Sequence, residues 1–189
     1  MESDHTSPEV RALFDELDRF KTSPARVAWD ELQAVSGLAA AVGQRDRGES
    51  LVRVIDRVRA WSNPESGARR SYGSAPYFNG AEAEWQVLVR AVARLCRGRL
   101  GLDSAKWAWV FRVMSPHAHA HAGRVFVFEK IFDVFARDVS KGLLLTPELR
   151  EALQIAPPIL REWANAPQQQ LALKMKRMAE GFDEKSESG

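Results

Sequence analysis

Four times in this chain a hydroxyl residue stands directly before a proline that opens a run with helical spacing: Ser7-Pro8-Glu9, Ser23-Pro24-Ala25, Ser115-Pro116-His117 and Thr146-Pro147-Glu148. A side-chain oxygen at the N-cap accepts from an amide with no partner inside the helix. Proline at the next position loses nothing, because its nitrogen would be unpaired there anyway. Val10, Leu13, Phe14, Leu17 and Phe20 repeat at intervals of three and four, as do Leu51, Val54, Ile55, Val58 and Trp61, which places each set on one helical face. The spacing predicts helices near residues 8–21, 24–42, 49–61, 81–98, 103–114, 117–140, 147–154 and 157–180. Val125-Phe126-Val127-Phe128 has strand propensity, yet Phe128, Ile131, Phe132, Phe135 and Val139 continue at helical spacing, so this segment reads as helix. No sustained strand pattern, internal repeat or glycine-rich phosphate loop is found. The expected fold is all-α, a single-domain bundle of about six to eight helices over residues 1–182. Residues 62–80, SNPESGARRSYGSAPYFNG, form a long basic and aromatic connection, and residues 183–189 have the composition of a disordered tail. Pro167, in Asn165-Ala166-Pro167, is expected to break or kink the last helical stretch.

With 189 residues the chain is long enough to bury a core. Cys96 is its one cysteine, which rules out a disulfide framework. The polar start Met1-Glu2-Ser3-Asp4-His5 is unlike a signal peptide, and the apolar runs are far too short to cross a membrane. A soluble, cytoplasmic protein without a membrane partner is expected. Net charge is +2, but its distribution is uneven. Residues 1–44 carry four basic and eight acidic side chains, residues 45–112 thirteen and seven, and residues 113–189 ten of each. The basic excess sits in the middle third and is almost all arginine. Such a region is the footprint of a protein that touches phosphate, or else a set of solvated helix faces.

His117, His119 and His121, in SPHAHAHAG, raise the question of a metal. Zinc requires three or four ligands converging at about 2.0–2.3 Å. On a strand the outer pair would stand roughly 13 Å apart at the backbone. On a helix His117 and His121 share a face while His119 points away, and no glutamate between them supplies a base. No second ligand cluster accompanies them. The stretch reads as a helix start with Ser115 as cap and largely neutral rings, with no metal and no cofactor expected.

The stronger signal lies in AEAEWQVLVRAVARLCRGRL. On a helical wheel Trp85, Leu88, Val89, Val92, Leu95 and Cys96 fall in one arc, and Arg90, Arg94 and Arg97 fall within about 60° of one another opposite it, with Arg99 just beyond. Arg53 and Arg57 form a similar pair on the preceding helix, diluted by Glu49 and Asp56. Guanidinium is permanently charged and forks onto phosphate oxygens, so a row of it at helical spacing can track a sugar–phosphate backbone. The competing reading is a solvated face, or salt bridges to Asp15, Glu16 and Asp18 of the acidic first helix. In the long loop, Arg69 and Arg70 with Tyr72, Tyr77 and Phe78 suit single-stranded nucleic acid, although Tyr77 and Phe78 can equally dock the loop on the core.

Trp107 and Trp109 cannot share a helix face, so one is core and the other a candidate protein contact. Trp29, Trp61, Trp85 and Trp163 occupy apolar helix positions and read as core. In LALKMKRMAEGF, Leu171, Met175, Met178 and Phe182 line one face beside Lys174, Lys176 and Arg177, as in a packing or partner-binding helix. A nucleophile elbow, a Walker loop, a dinucleotide fingerprint and a carboxylate cluster are all absent, which argues against an enzyme.

In size, in helical content and in the arginine-bearing stretches QRDRGESLVRVIDRVRAW and LVRAVARLCRGRL, the chain resembles the small-subunit family of CRISPR effector complexes. These are helical bundles that line up along the backbone bearing the crRNA. The resemblance implies a non-catalytic subunit of a ribonucleoprotein complex. It would contact crRNA or single-stranded DNA through basic side chains, and bind other protein subunits, further copies of itself among them. Arg90, Arg94 and Arg97, then Arg69 and Arg70, are the phosphate contacts expected first, followed by Arg99, Arg53, Arg57 and Tyr72. Two rival readings stand beside it. One is a duplex-DNA-binding regulatory or packaging protein, which would need a helix-turn-helix that does not stand out here. The other is a metal-dependent helical enzyme using His117 and His121.

Overall fold

A computed structural model describes residues 6–21, 29–61, 80–115, 122–161 and 166–181, with side chains described for 6–20, 29–57, 86–115, 128–161 and 169–181. Among the described residues there are nine α-helices and no strand. They are α1 (Pro8–Lys21), α2 (Trp29–Ala41), α3 (Arg47–Trp61), α4 (Gly80–Leu95), α5 (Ser104–Met114), α6 (Ala122–Ser140), α7 (Pro147–Leu153), α8 (Ala156–Arg161) and α9 (Ala166–Glu180). The all-α reading is thus observed, including helix across Val125–Phe128, where the apolar repeat outweighs local strand propensity. No helix among the described residues is long and apolar enough to cross a membrane. The sequence reads as one helical domain over 1–182, whereas the contacts cluster into two compact units, Met1–Gly101 and Leu102–Gly189.

The first unit is a ring of four helices: α1 packs on α2, α2 on α4, α4 on α3, and α3 on α1. Each contributes a buried apolar stripe, among them Leu13, Leu17 and Phe20 on α1, Leu32, Val35 and Ala39 on α2, Leu51, Val54 and Ile55 on α3, and Val87, Ala91, Val92 and Leu95 on α4. The repeats at three and four become a core because each stripe meets two neighbours. Ser7 caps α1 as its sequence signature implies, its hydroxyl accepting from the Val10 amide at 3.4 Å.

In the second unit α5 packs on α7, α7 on α9, and α8 on α9. An aromatic cluster joins α5 to α6: Trp107 lies 5.3 Å from Phe135, and Phe111 lies 4.9 Å from Phe135 and 6.4 Å from Phe128, centroid to centroid. Both short contacts are edge-to-face, the arrangement the ring quadrupole favours. Trp107 is fully buried and its indole N–H donates to Asp138 at 3.3 Å, so it is the core member of the Trp107/Trp109 pair. Asp103 caps α5, accepting from the Lys106 amide at 2.8 Å, and Thr146 caps α7, accepting from Leu149 at 3.3 Å. At the end of α6 the Leu143 amide bonds to the Asp138 carbonyl and the Gly142 amide to Val139, with Gly142 at φ 100°. This is a Schellman termination, in which the positive φ demands glycine. Arg150 donates to the Leu145 carbonyl at 3.2 Å and to the Ala179 carbonyl at 3.0 Å, joining the loop before α7 and the end of α9 to α7 itself. On α9 the expected packing face is seen, with Leu171 and Met175 buried and Met178 half-buried; Phe182 lies outside the described residues.

Two expectations are corrected here. Ser115 is not an N-cap: it closes α5 in right-handed helical conformation (φ −59°, ψ −41°), its amide bonding to the Phe111 carbonyl, whereas an N-cap needs extended backbone. Its buried hydroxyl finds no partner among the described residues. Trp29 is not core: it is 60% exposed at the first position of α2. Replacing Phe135 by alanine, which removes the ring that both Trp107 and Phe111 abut, is expected to cost roughly 3–5 kcal/mol. Urea unfolding followed by tryptophan fluorescence checks this; a loss under about 1 kcal/mol would mean the cluster is loosely packed.

Candidate nucleic-acid interface

The arginines marked out by the sequence divide into those that hold the fold together and those left open. Arg90 and Arg94 belong to the first kind. The Arg90 guanidinium lies over the Trp29 ring, 4.6 Å from its centroid, and the Arg94 Nε donates to the Ser36 hydroxyl at 2.8 Å. Both side chains are half-buried and turned toward α2. A helical wheel sets them opposite the apolar arc, but α4 packs on both α2 and α3, so its buried face is wide and includes Val87 and Ala91. Arg90 and Arg94 therefore occupy the shoulder of that face, where α2 meets them. Val89, assigned to the arc, is half-buried, and the side chain of Trp85 lies outside the described residues.

Arg53 and Arg57 serve the contact between α3 and α1. Their guanidinium carbons sit 4.3 and 5.2 Å from the centroid of Phe14, and Arg57 pairs with Asp18. For Arg57 this is the salt bridge to the acidic first helix given by the competing reading; Arg53 meets that helix through the Phe14 ring. The Arg57–Asp18 pair is partly exposed and so contributes at most about 1 kcal/mol.

Arg97 and Arg99 are exposed. α4 ends at Leu95, short of the expected residue 98, and Arg97 lies in the turn that follows, its amide bonding to the Arg94 carbonyl at 3.3 Å. The α2–α3 turn docks on this segment: the Gln44 side-chain amide donates to the Arg99 carbonyl. Arg47 donates to the Val42 carbonyl at 3.1 Å and to the Gln44 side-chain oxygen at 3.5 Å. A Cβ at Gly98 would meet the Gln44 and Arg47 side chains, so the missing side chain allows this approach. The result is a basic end of the bundle carrying Arg45, Arg47, Arg97 and Arg99, of which Arg45, Arg97 and Arg99 are exposed and make no ion pair among the described residues. Asp46 lies between the first two and Glu49 in the first turn of α3.

Helix electrostatics accounts for part of this cluster. Arg97 and Arg99 follow a helix C-terminus, where positive charge is favoured, and Arg47 closes the carbonyl end of α2. Arg45 stands before the N-terminus of α3, where positive charge is disfavoured, so helix stability does not explain it. Helical periodicity does not mark Arg45 and Arg47 as a site. Their join to Arg97 and Arg99 rests on a contact 55 residues apart in sequence, which no local pattern reveals.

Arg69, Arg70 and Tyr72 lie outside the described residues, as do His117, His119 and His121. Among the described residues no group of three or more histidine, cysteine or carboxylate side chains could hold a metal ion. Comparison with protein-family models, with curated proteins and with solved structures finds no match to this chain.

The division of arginines can be measured by stability alone. Ser36→Ala is expected to lose about 1–3 kcal/mol, since it strips a charge-assisted bond from a half-buried guanidinium, while Arg97→Ala is expected to stay within about 0.5 kcal/mol of the native protein. Chemical denaturation of the two variants side by side decides it, and equal losses would mean that Arg97 also holds the fold.

Proposed function

We propose that this protein is a non-catalytic helical subunit that binds the sugar–phosphate backbone of single-stranded RNA or DNA within a crRNA-guided ribonucleoprotein complex. The observation that carries the binding part is the basic end of the first unit, where Arg45, Arg47, Arg97 and Arg99 come together on two adjoining turns. Guanidinium groups on turns reach outward in several directions, which suits the irregular phosphate spacing of an unpaired strand more than the fixed groove of a duplex. Phosphate contacts of this kind give affinity and register without reading sequence. Placement in a crRNA-guided complex rests on the resemblance of the two arginine-bearing segments, and both segments contribute to the cluster: one holds Arg45 and Arg47, the other Arg97 and Arg99. In such an assembly the protein supplies a charged surface and contacts to neighbouring subunits, while chemistry belongs to other components.

Binding to labelled single-stranded RNA, single-stranded DNA and duplex DNA, titrated across salt, tests the reading. The native protein is expected to prefer single strands. An Arg45/Arg97/Arg99→Ala variant, folded by circular dichroism, is expected to lower the slope of log K against log salt by about two, at roughly 0.7 for each phosphate no longer neutralised. Absence of binding at low salt, or an unchanged slope in the variant, would reject it.

A further inference from the structure

The exposed Trp29 has no part in the core, yet it is held in place. The Arg90 guanidinium lies over one face of its indole, 4.6 Å from the centroid, and the residue is still 60% exposed. Isolated exposed apolar side chains are common and mean little. This one is set apart by its cation and by its line of neighbours. Arg90 meets Trp29, Arg94 meets Ser36, and Arg99 meets Gln44, so α2 and α4 run in the same direction and form one seam. Trp29 marks the start of that seam and the basic turns mark its end. The 13 residues of α2 between them rise about 20 Å at 1.5 Å each, enough for several nucleotides at 3.4 Å or more per nucleotide.

Charge separates the two ends. Asp30 follows Trp29 in the first turn of α2 and disfavours phosphate there, where Arg90 is already engaged by the indole, while the exposed arginines without an ion pair among the described residues gather at the far end. An aromatic platform with a carboxylate beside it accepts the flat, uncharged part of a nucleotide. We infer that Trp29, braced by Arg90, stacks an unpaired base of the same strand whose phosphates the Arg45/Arg97/Arg99 cluster takes. This inference rests on the nucleic-acid reading above and adds to it a base contact, hence a requirement for single-stranded substrate. Guanidinium behind an indole strengthens such a platform, because it fixes the ring and spares the base the entropic cost of ordering it.

The test compares a labelled twelve-nucleotide oligothymidylate with an abasic strand of the same length and charge. Native protein, Trp29→Ala, Trp29→Phe and Arg45/Arg97/Arg99→Ala are each measured by fluorescence anisotropy. Trp29→Ala is expected to weaken oligothymidylate binding roughly 5- to 150-fold, the range for removal of one stacking partner, and to leave abasic binding unchanged. Trp29→Phe is expected to retain most of the affinity, which excludes misfolding as the cause. The arginine variant is expected to lose affinity for both strands. Trp29→Ala binding both strands as the native protein does would overturn the inference while leaving the backbone reading intact, and would point to a protein partner at Trp29. Equal loss on both strands would also overturn it. Failure of the native protein to bind either strand would reject the nucleic-acid reading, and the inference with it.

Discussion

Ser36 stands in the middle of α2 with its side chain buried, and a buried hydroxyl is costly to leave without a partner. That partner is the Arg94 guanidinium, which cannot shed its charge and so must keep its other donors near water. The bond therefore sits at the rim of the α2–α4 contact, on the same helix that turns Val87, Ala91, Val92 and Leu95 into the ring of four helices and lays Arg90 on Trp29. The chain then leaves α4 at the height of the α2–α3 turn, where Gln44 receives it. Along this seam Arg90 and Arg94 are fastened to α2, while Arg97 and Arg99, beyond the end of α4, are left to solvent.

The helices were legible because their signals are local. A hydroxyl before proline and an apolar residue every third or fourth position act within one helix, as Thr146 and Ser7 show. Ser115-Pro116 carries the same signature and misleads, because the backbone at Ser115 is still occupied in closing α5. Cap chemistry needs an extended residue, and sequence alone does not say whether a preceding helix has already claimed it. Trp29 misleads in another way: its apolar position on the helix suggests the core, but the ring is 60% exposed and meets the Arg90 guanidinium.

The site was legible only in part, and the reason is distance along the chain. A helical wheel groups Arg90 and Arg94 on one side of α4 but does not know that α2 will lie against that side, nor that α4 ends before Arg97. Arg53 and Arg57 likewise face α1, where Phe14 and Asp18 receive them. The exposed Arg45, Arg97 and Arg99 come together from two turns that the sequence keeps far apart. Counting basic residues on a helical wheel thus overstates the free charge of α3 and α4, where Arg57, Arg90 and Arg94 are engaged by neighbouring helices.

In the second unit, Arg150 touches two carbonyls that belong to different parts of the chain, one just before α7 and one in the last turn of α9. The final turn of a helix ordinarily frays, since its carbonyls lack intrahelical partners. Here one of those carbonyls is held by a side chain 29 residues earlier, and Gly181, at φ 84°, carries no Cβ that would crowd the guanidinium. The end of α9 is consequently tied to the opening of α7. Local opening that would start at a loose helix end has to release the loop before α7 as well, so the two segments open as one cooperative unit.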